Sequence, residues 1–553
     1  MRRMVGRRSK TTIERPNRTV GVFTLALVLL LAWPPRPDAG PLVVDLIVQY
    51  EQLPVGDELE RIAALGGVVR YQYEHLPMLA LTVPVVALPL LAAGLDIDVI
   101  SLDETVESFS LAARATANVP EPGSPGYVTP DAAVVTAVLD SGISSQHWDL
   151  ELVQTVDVIP RYLGLWRDPQ DPFGHGTHVA GVLGGDGTAS DGSYTGVAPG
   201  APVISVRVLD DEGRGNASDV IAGLDWLLGH AAEENIRVVN LSLGMGIAES
   251  VTTDPLVAAA EAVWDAGIVV VCSAGNYGTG GNFTITSPAN SPKVITVGSL
   301  TDNGTAQDFS DDYVSSYSSM GPTLIDHHLK PDLLAPGNRF IAAIPPWPGS
   351  ELEEQLPDRK KECGSLVCLG GEYLELSGTS MAAPQVAAAA ALMLSQEPSL
   401  DPATVKARLM RSARKIPGDA TAVGAGVLDV AAALAESGYT EASPSPHMDI
   451  SKEGPVVLIE NTAVAWGGGE WSNAALYNDG ASWGDGYTAA DGYVWADGYM
   501  WADGYMWADG YMWADGYMWA EGYLWADGYM WADSVSQADD FHDPSSQGVL
   551  RDD

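Results

Sequence analysis

Three residues of this chain are of the types that together cleave acyl bonds, and a fourth accompanies them. Ser380 lies in Gly378-Thr379-Ser380-Met381-Ala382-Ala383-Pro384, ahead of an apolar, Ala-rich run from Gln385 to Leu394. The run reads as a buried helix. Ser380 then sits at a helix start, where unpaired N–H groups and the positive dipole end favour a developing negative charge. A serine hydroxyl is a weak nucleophile at neutral pH and needs a base. His175, in Phe173-Gly174-His175-Gly176-Thr177-His178, titrates in the range that suits this work. Asp140 closes the β-branched run Val134–Leu139 and precedes Ser141-Gly142. It would hold the imidazole tautomer and stabilise the imidazolium without taking the proton. Asn276 places an amide beyond a second apolar strand, Val269-Val270-Val271-Cys272-Ser273.

Taken singly, these signals are weak. An Asp before Gly and an Asn after Gly are common turn residues, and His175 with His178 lacks the carboxylate that a metal pair would need. Together, in the chain order Asp, His, Ser, they resemble the subtilisin-like serine proteases, or subtilases. The resemblance runs from roughly Val134 to Val430. It implies that Asn276 is the side-chain donor of an oxyanion hole, beside the backbone N–H of Ser380. It implies a structural His178. It makes Leu241-Ser242-Leu243-Gly244 a wall of the primary pocket and Ser273-Ala274-Gly275 another, with Thr286 near the floor and Tyr277 on the rim. Gly213-Arg214-Gly215 resembles the edge strand that pairs with an extended substrate. No acidic cluster lies in these segments, which favours an apolar residue before the cleaved bond. Asp149, nine after Asp140, matches a calcium-ligand position of the family. The companion loop Gly184–Gly192 matches poorly, and a solvated acidic loop is an equal alternative.

The elements that must position these residues follow an alternating pattern. Val134–Leu139, Val203–Val208, Val238–Leu243, Ile268–Cys272 and Val294–Val297 read as strands, with helices such as Val220–Ala232 and Pro255–Ala266 between them. The expected fold is α/β, a subtilisin-like parallel sheet with helices on both faces. Sites in such sheets lie beyond the carboxyl ends of the strands, where Asp140 and Asn276 fall. The catalytic domain is assigned to residues 116–437, with Pro345–Glu372 as a charged surface insertion near the site. Upstream, residues 41–115 read as strand, helix, two strands, helix and strand: Leu42–Tyr50, Asp57–Leu65, Val68–Tyr73, Met78–Val83, Val85–Ala93 and Val99–Leu102. This is the ferredoxin-like order and resembles the inhibitory propeptide of subtilases, against a plain N-terminal domain as the alternative. The maturation cut is expected between Glu107 and Pro125.

Composition sets the outer limits. The 553 residues are 46% hydrophobic and carry a net charge of −43. That charge speaks against nucleic acid as a partner. With three cysteines the chain is no disulfide scaffold. Cys272 reads as a free core thiol. Cys363 and Cys368 could close a small loop, and a zinc site there lacks two ligands. Residues 1–40 hold a basic start and the apolar run Val20–Trp33, which reads as a secretory signal peptide; a retained membrane anchor is the rival. Secretion is expected, with polypeptides as substrates and the propeptide as inhibitor. Ser443-Pro444-Ser445-Pro446 reads as part of a linker and acidic segment over residues 438–478. In residues 479–533 the hexad Asp-Gly-Tyr-Met-Trp-Ala recurs, and residues 534–553 form an acidic end. The repeats could attach to a cell surface or carbohydrate, self-associate or act as a spacer. A rival from another class is a surface binding protein that keeps the protease domain only as scaffold.

Overall fold

The computed structural model describes residues 43–450 and 457–459 apart from short internal stretches, the longest being 93–96, 109–114, 160–167 and 362–370. The signal peptide, the Cys363–Cys368 pair and the hexad repeats lie outside the described residues. The chain divides into two compact units, one reaching to Gln72 and resuming over Pro77–Leu102, the other holding Tyr73–Leu76 and everything from Asp103 onward.

The first unit runs β1 (Val43–Tyr50), α1 (Gly56–Ala64), β2 (Val68–Gln72), β3 (Met78–Pro84), α2 (Leu88–Leu91) and β4 (Ile97–Leu102). The strands form an antiparallel sheet in the order β2-β3-β1-β4. Alternate residues Leu46, Val48 and Tyr50 of β1 join Leu79, Leu81 and Val83 of β3 in one core, closed by Ile62 of α1 and Leu88 and Leu91 of α2, as a strand period of two requires. Gly66, at φ +79°, ends the first helix. The second helix is shorter than its apolar run suggests. A 3₁₀ turn, Val85–Ala87, precedes a single α-turn, because Pro89 has no N–H to donate backwards.

The second unit is built on a parallel sheet. Its strands are β6 (Val135–Asp140), β7 (Leu152–Asp157), β8 (Val203–Arg207), β10 (Ile236–Leu241), β12 (Val269–Ser273), β13 (Ile295–Thr301), the antiparallel edge β14 (Tyr313–Val314) and β15 (Leu333–Pro336). The order is β14-β13-β12-β10-β6-β8-β7, with β15 also paired to β13. Every residue of β6, β8, β12 and β13 is buried, the signature of strands covered on both faces. The longer helices are α3 (His175–Gly184), α4 (Ala217–His230), α5 (Pro255–Asp265), α6 (Thr379–Gln396) and α7 (Pro402–Ser412). Asp254 caps α5 by accepting from the N–H groups of Leu256 and Val257. Within α6 every residue from Thr379 to Leu394 is buried, and its alanines allow close approach to the sheet.

The predicted strand Val238–Leu243 is in fact two. It breaks at Ser242, and Leu243–Gly244 turns out of the sheet as β11. There it belongs to a small antiparallel sheet in the order β11-β5-β9, with β5 spanning Thr105–Ser108 and β9 Arg214–Asn216. A third sheet, β16 (Phe340–Ile344), β17 (Lys360–Lys361) and β18 (Glu372–Leu376), brackets the insertion before the serine motif.

The segment that composition presents as a linker is packed instead. Ser443 and Ser445 are buried. The Ser445 N–H donates to the Pro292 carbonyl at 2.8 Å, and the Leu329 N–H to the Pro446 carbonyl at 2.8 Å. Ser445 Oγ donates to Asp332 Oδ1 at 2.7 Å. Asp332 sits between two lysines, 2.7 Å from Lys330 Nζ and 3.1 Å from Lys406 Nζ, with all three side chains at 0% exposure. Serine and proline mimic a solvated spacer in composition, but here the hydroxyl satisfies a buried carboxylate.

Candidate active site

Three neighbouring strands, β12, β10 and β6, end at the same edge, and α6 starts there. The end of β6 carries Asp140, 0% exposed. Beside it, the first residue of α3 is His175, 1% exposed. The His175 Nδ1 lies 2.8 and 2.9 Å from the two carboxylate oxygens of Asp140, and Asp140 Oδ1 also accepts from the Ser141 N–H at 2.7 Å. Gly176 is required here, since a Cβ on it would stand 2.0 Å from the Gly142 carbonyl oxygen.

Ser380 is the second residue of α6 and is buried. Its N–H belongs to the first turn, whose donors have no intrahelical acceptor. Its Oγ lies 3.1 Å from the Ser242 carbonyl. Four residues on, Pro384 has no N–H for the Ser380 carbonyl; Ser242 Oγ supplies a bond at 2.9 Å. The break between β10 and β11 thus fastens Ser242 to the serine turn. Asn276, half-buried, accepts at Oδ1 from both the N–H (3.1 Å) and the Oγ1 (3.0 Å) of Thr379. With its oxygen held there, the amide's NH₂ is the end left to face a ligand. Thr379 was not singled out from the sequence, although its place directly before Ser380 is a usable signal.

The segments expected to line a pocket also meet. Thr286 is buried, donates to the Ala274 carbonyl at 3.2 Å, and leaves no room for a Cβ on Gly244 (2.6 Å) or Gly275 (2.7 Å). It therefore joins the segment of Ser242, Leu243 and Gly244 to that of Ser273, Ala274 and Gly275. Tyr277 is exposed. On the opposite side Gly213, at φ +76°, lies against Phe173, whose ring is 6.4 Å from that of His175. Gly215 pairs with Val106 of β5.

His178 is fully buried, with Nε2 3.1 Å from the Leu374 carbonyl. Burial lowers its pKa to about 3, so it stays neutral and structural. Cys272 is a free, buried thiol pushed by burial to about 12, which makes it inert. Sequence reasoning also missed Asp171, a fully buried carboxylate four residues before His175. Burial raises its pKa to about 6 against the pull of four donors. The start of the insertion reaches this loop too: the N–H groups of Glu351 and Leu352 donate to the carbonyls of Pro172 and Phe173 at 2.9 and 3.0 Å.

Asp149 does not fit a calcium ion. Its Oδ1 accepts from the Ala189 N–H and its Oδ2 from the Tyr373 hydroxyl, both at 2.7 Å. Tyr373 is buried, with its ring edge-to-face with that of His147 and tilted against that of Tyr194. Among the described residues no group of three or more His, Cys, Asp or Glu is placed to hold a metal. The spacing from Asp140 is that of a ligand, but tyrosine and backbone donors take the oxygens. Among the described residues, no helix is long and apolar enough to cross a membrane.

Residues 131–426 match the model of the subtilase family. The serine protease AprX of Bacillus subtilis is 40% identical over 289 residues, 51% of this chain and 61% of that protein. Subtilisin NAT of Bacillus subtilis subsp. natto is 31% identical over 376 residues, 67% of this chain and 84% of that protein. The crystal structure of fervidolysin from Fervidobacterium pennivorans, a keratinolytic enzyme related to subtilisin, superposes with a TM-score of 0.54 at 23% identity, covering 73% of this chain and 62% of that one. More than half of the chain fits one family model, and a parallel sheet holds the motif residues at one edge. On these grounds the chain belongs to the subtilase family of serine endopeptidases.

Proposed function

We propose that the protein is a secreted endopeptidase that cuts polypeptides through an acyl-enzyme and matures by removing its own N-terminal unit. Ser380 Oγ attacks the scissile carbonyl, and His175 takes its proton and returns it to the leaving amine. Asp140, on Nδ1, fixes the tautomer and steadies the imidazolium. The amide of Asn276 and the Ser380 N–H receive the oxyanion.

The observation that carries this reading is the strand β5. The backbone of Thr105–Ser108 runs antiparallel between β9 and β11, with Val106 opposite Gly215, Glu107 opposite Gly244 and Ser108 opposite Leu243. The next residue of β11's chain toward the sheet is Ser242, whose carbonyl accepts from Ser380. A segment of this chain therefore takes the path of an extended substrate, held by main-chain bonds that demand little of its sequence. One residue beyond Ser108 the sequence has Phe109, an apolar residue of the kind the pocket favours. We infer cleavage of Phe109–Ser110, within the expected stretch from Glu107 to Pro125. Inhibition before that cut is supported by Asp225 of α4, which accepts from the N–H groups of Glu74, His75 and Leu76 at 2.8, 2.7 and 3.0 Å. The hexad tail is read as a module for attachment to a surface or carbohydrate.

The test compares wild type with Ser380→Ala, using a fluorophosphonate probe and intact mass. Wild type labels on Ser380 and begins at Ser110; the variant does neither. A trimmed, folded wild type that fails to label would overturn the reading.

A further inference from the structure

The catalytic scheme leaves one buried carboxylate of the site unused. Asp171 is 0% exposed, and its partners among the described residues are hydroxyls and backbone N–H groups. Its Oδ1 accepts from Ser141 Oγ at 2.7 Å and from the Gly174 N–H at 2.8 Å. Its Oδ2 accepts from the N–H and Oγ1 of Thr177 at 2.8 and 2.5 Å. Ser141 follows Asp140 on the strand end, whereas Gly174 and Thr177 flank His175 on the helix start. Ser141 Oγ also accepts from the Gly176 N–H at 3.0 Å. Among the described residues, Ser141 and Ser144 are thus tied to the His175 turn through Asp171 and through hydroxyls that touch it, Ser144 N–H to Thr177 Oγ1 (2.9 Å) included.

Four donors converge on two oxygens, which is the full acceptor capacity of an ionised carboxylate. An amide in its place must turn its NH₂ toward either the Gly174 or the Thr177 N–H, and neither backbone donor can rotate away. The imidazole has to stay within hydrogen-bond geometry of Asp140 on one side and of the serine on the other, and displacements of about 1 Å cost about 10²-fold in rate.

We propose that Asp171 is a positioning residue of the charge pair: it locks the Asp140 strand end to the His175 turn and so sets the geometry of the general base. This inference rests on the triad reading above. It assigns Asp171 no contact with substrate.

The full chain is used, matured in trans by tagged wild-type enzyme that is then removed, and kcat and KM are measured on a peptide with Phe before the scissile bond. Asp171→Asn is expected to lower kcat about 30-fold with KM within twofold. In an Asp140→Asn background the same change is expected to cost no more than threefold, because groups that act as a unit are not additive. A full 30-fold loss in that background, or a folded Asp171→Asn enzyme with kcat within twofold of wild type, would refute the inference. Should Asp171→Asn not fold, Thr177→Val removes one of the four donors to Asp171, and with it the acceptor of the Ser144 N–H, while keeping the Thr177 N–H. A kcat loss of about 5-fold, restored by Thr177→Ser, supports the role; equal kcat in all three proteins sinks it. Activity that survives Ser380→Ala would overturn the triad reading itself, and this inference with it, whereas multiplicative loss in the Asp140→Asn background overturns the inference alone.

Discussion

The trio Lys330, Asp332 and Lys406 offers the sharpest stability test. One carboxyl and two amino groups share a site in which all three side chains are fully buried. Burial lowers the Lys406 pKa to about 7, with Asp332 pulling it upward and Lys330 pushing it down; the two lysines hold the Asp332 carboxyl below its usual range despite its burial. Near pH 8 the site therefore amounts to a Lys330–Asp332 ion pair with a mostly neutral Lys406 beside it. Asp332→Asn leaves the Lys330 ammonium buried with no counter-charge, which costs about 3–5 kcal/mol. For a domain of about 300 residues the unfolding entropy is about 0.6 kcal/mol per kelvin, so Tm is expected to fall by about 5–8 °C. Differential scanning calorimetry of the Ser380→Ala protein, which cannot digest itself, gives the shift. The sign with pH follows from the same group. Folded Lys406 titrates below its unfolded value of about 10.4, so between about 7 and 10.4 the unfolded chain holds more protons and stability rises with pH. Lys406→Met removes that slope. A Tm loss under 2 °C in Asp332→Asn, or the same pH slope in Lys406→Met as in its parent, would refute the account of this buried site.

Other outcomes can be checked on the same protein. Asn276→Ala is expected to lower kcat by about 10²–10³ with KM little changed, a magnitude carried over from the same donor in a subtilisin; Thr379→Val, which frees one of the two bonds on the Asn276 oxygen, should lower kcat about 5-fold, as the loss of about 1 kcal/mol would. Asp225→Asn removes the charge that three N–H groups share, so the lag between the maturation cut and full activity should shorten about tenfold, read by a continuous peptide assay. Tyr373→Phe strips Asp149 of its hydroxyl donor and should lower Tm by a few degrees (about 1–2 kcal/mol), while a chelator leaves that loss unchanged; a chelator-dependent difference would put a cation at Asp149.

Much of this architecture is written in patterns of period two and in the Gly-bounded motifs. The runs ending at Asp140 and Ser273 are continuous β-branched stretches, and such runs have few alternatives to a strand covered on both faces. What the sequence conceals is partnership across distance. Asp171 looks like any acidic loop residue until Ser141, Gly174 and Thr177 converge on it. Asp149 carries the spacing of a calcium ligand, yet Tyr373, 224 positions away, occupies its oxygen. Ser445 sits in a Ser-Pro tract whose composition argues for solvent, and only the buried Asp332 explains its packing. The break at Ser242 falls inside a largely apolar run, and its partner, the Ser380 carbonyl that Pro384 leaves without a helical donor, lies in another element.

The small sheet beside the serine bears on which conformations of a client chain are cut. β9 and β11 pair with β5 on both sides, so a substrate taking the proposed path would have to expose main-chain donors and acceptors along two opposite edges at once. A residue inside a helix has spent those groups internally, and one in a central strand has them paired on both flanks. Only a stretch with both flanks unpaired for at least the three or four residues that Thr105–Ser108 span can enter. On the proposed reading, cleavage then discriminates by conformational state before it discriminates by side chain: the rate on a folded client would be capped by how often that client opens locally, and unfolded chains would be consumed first.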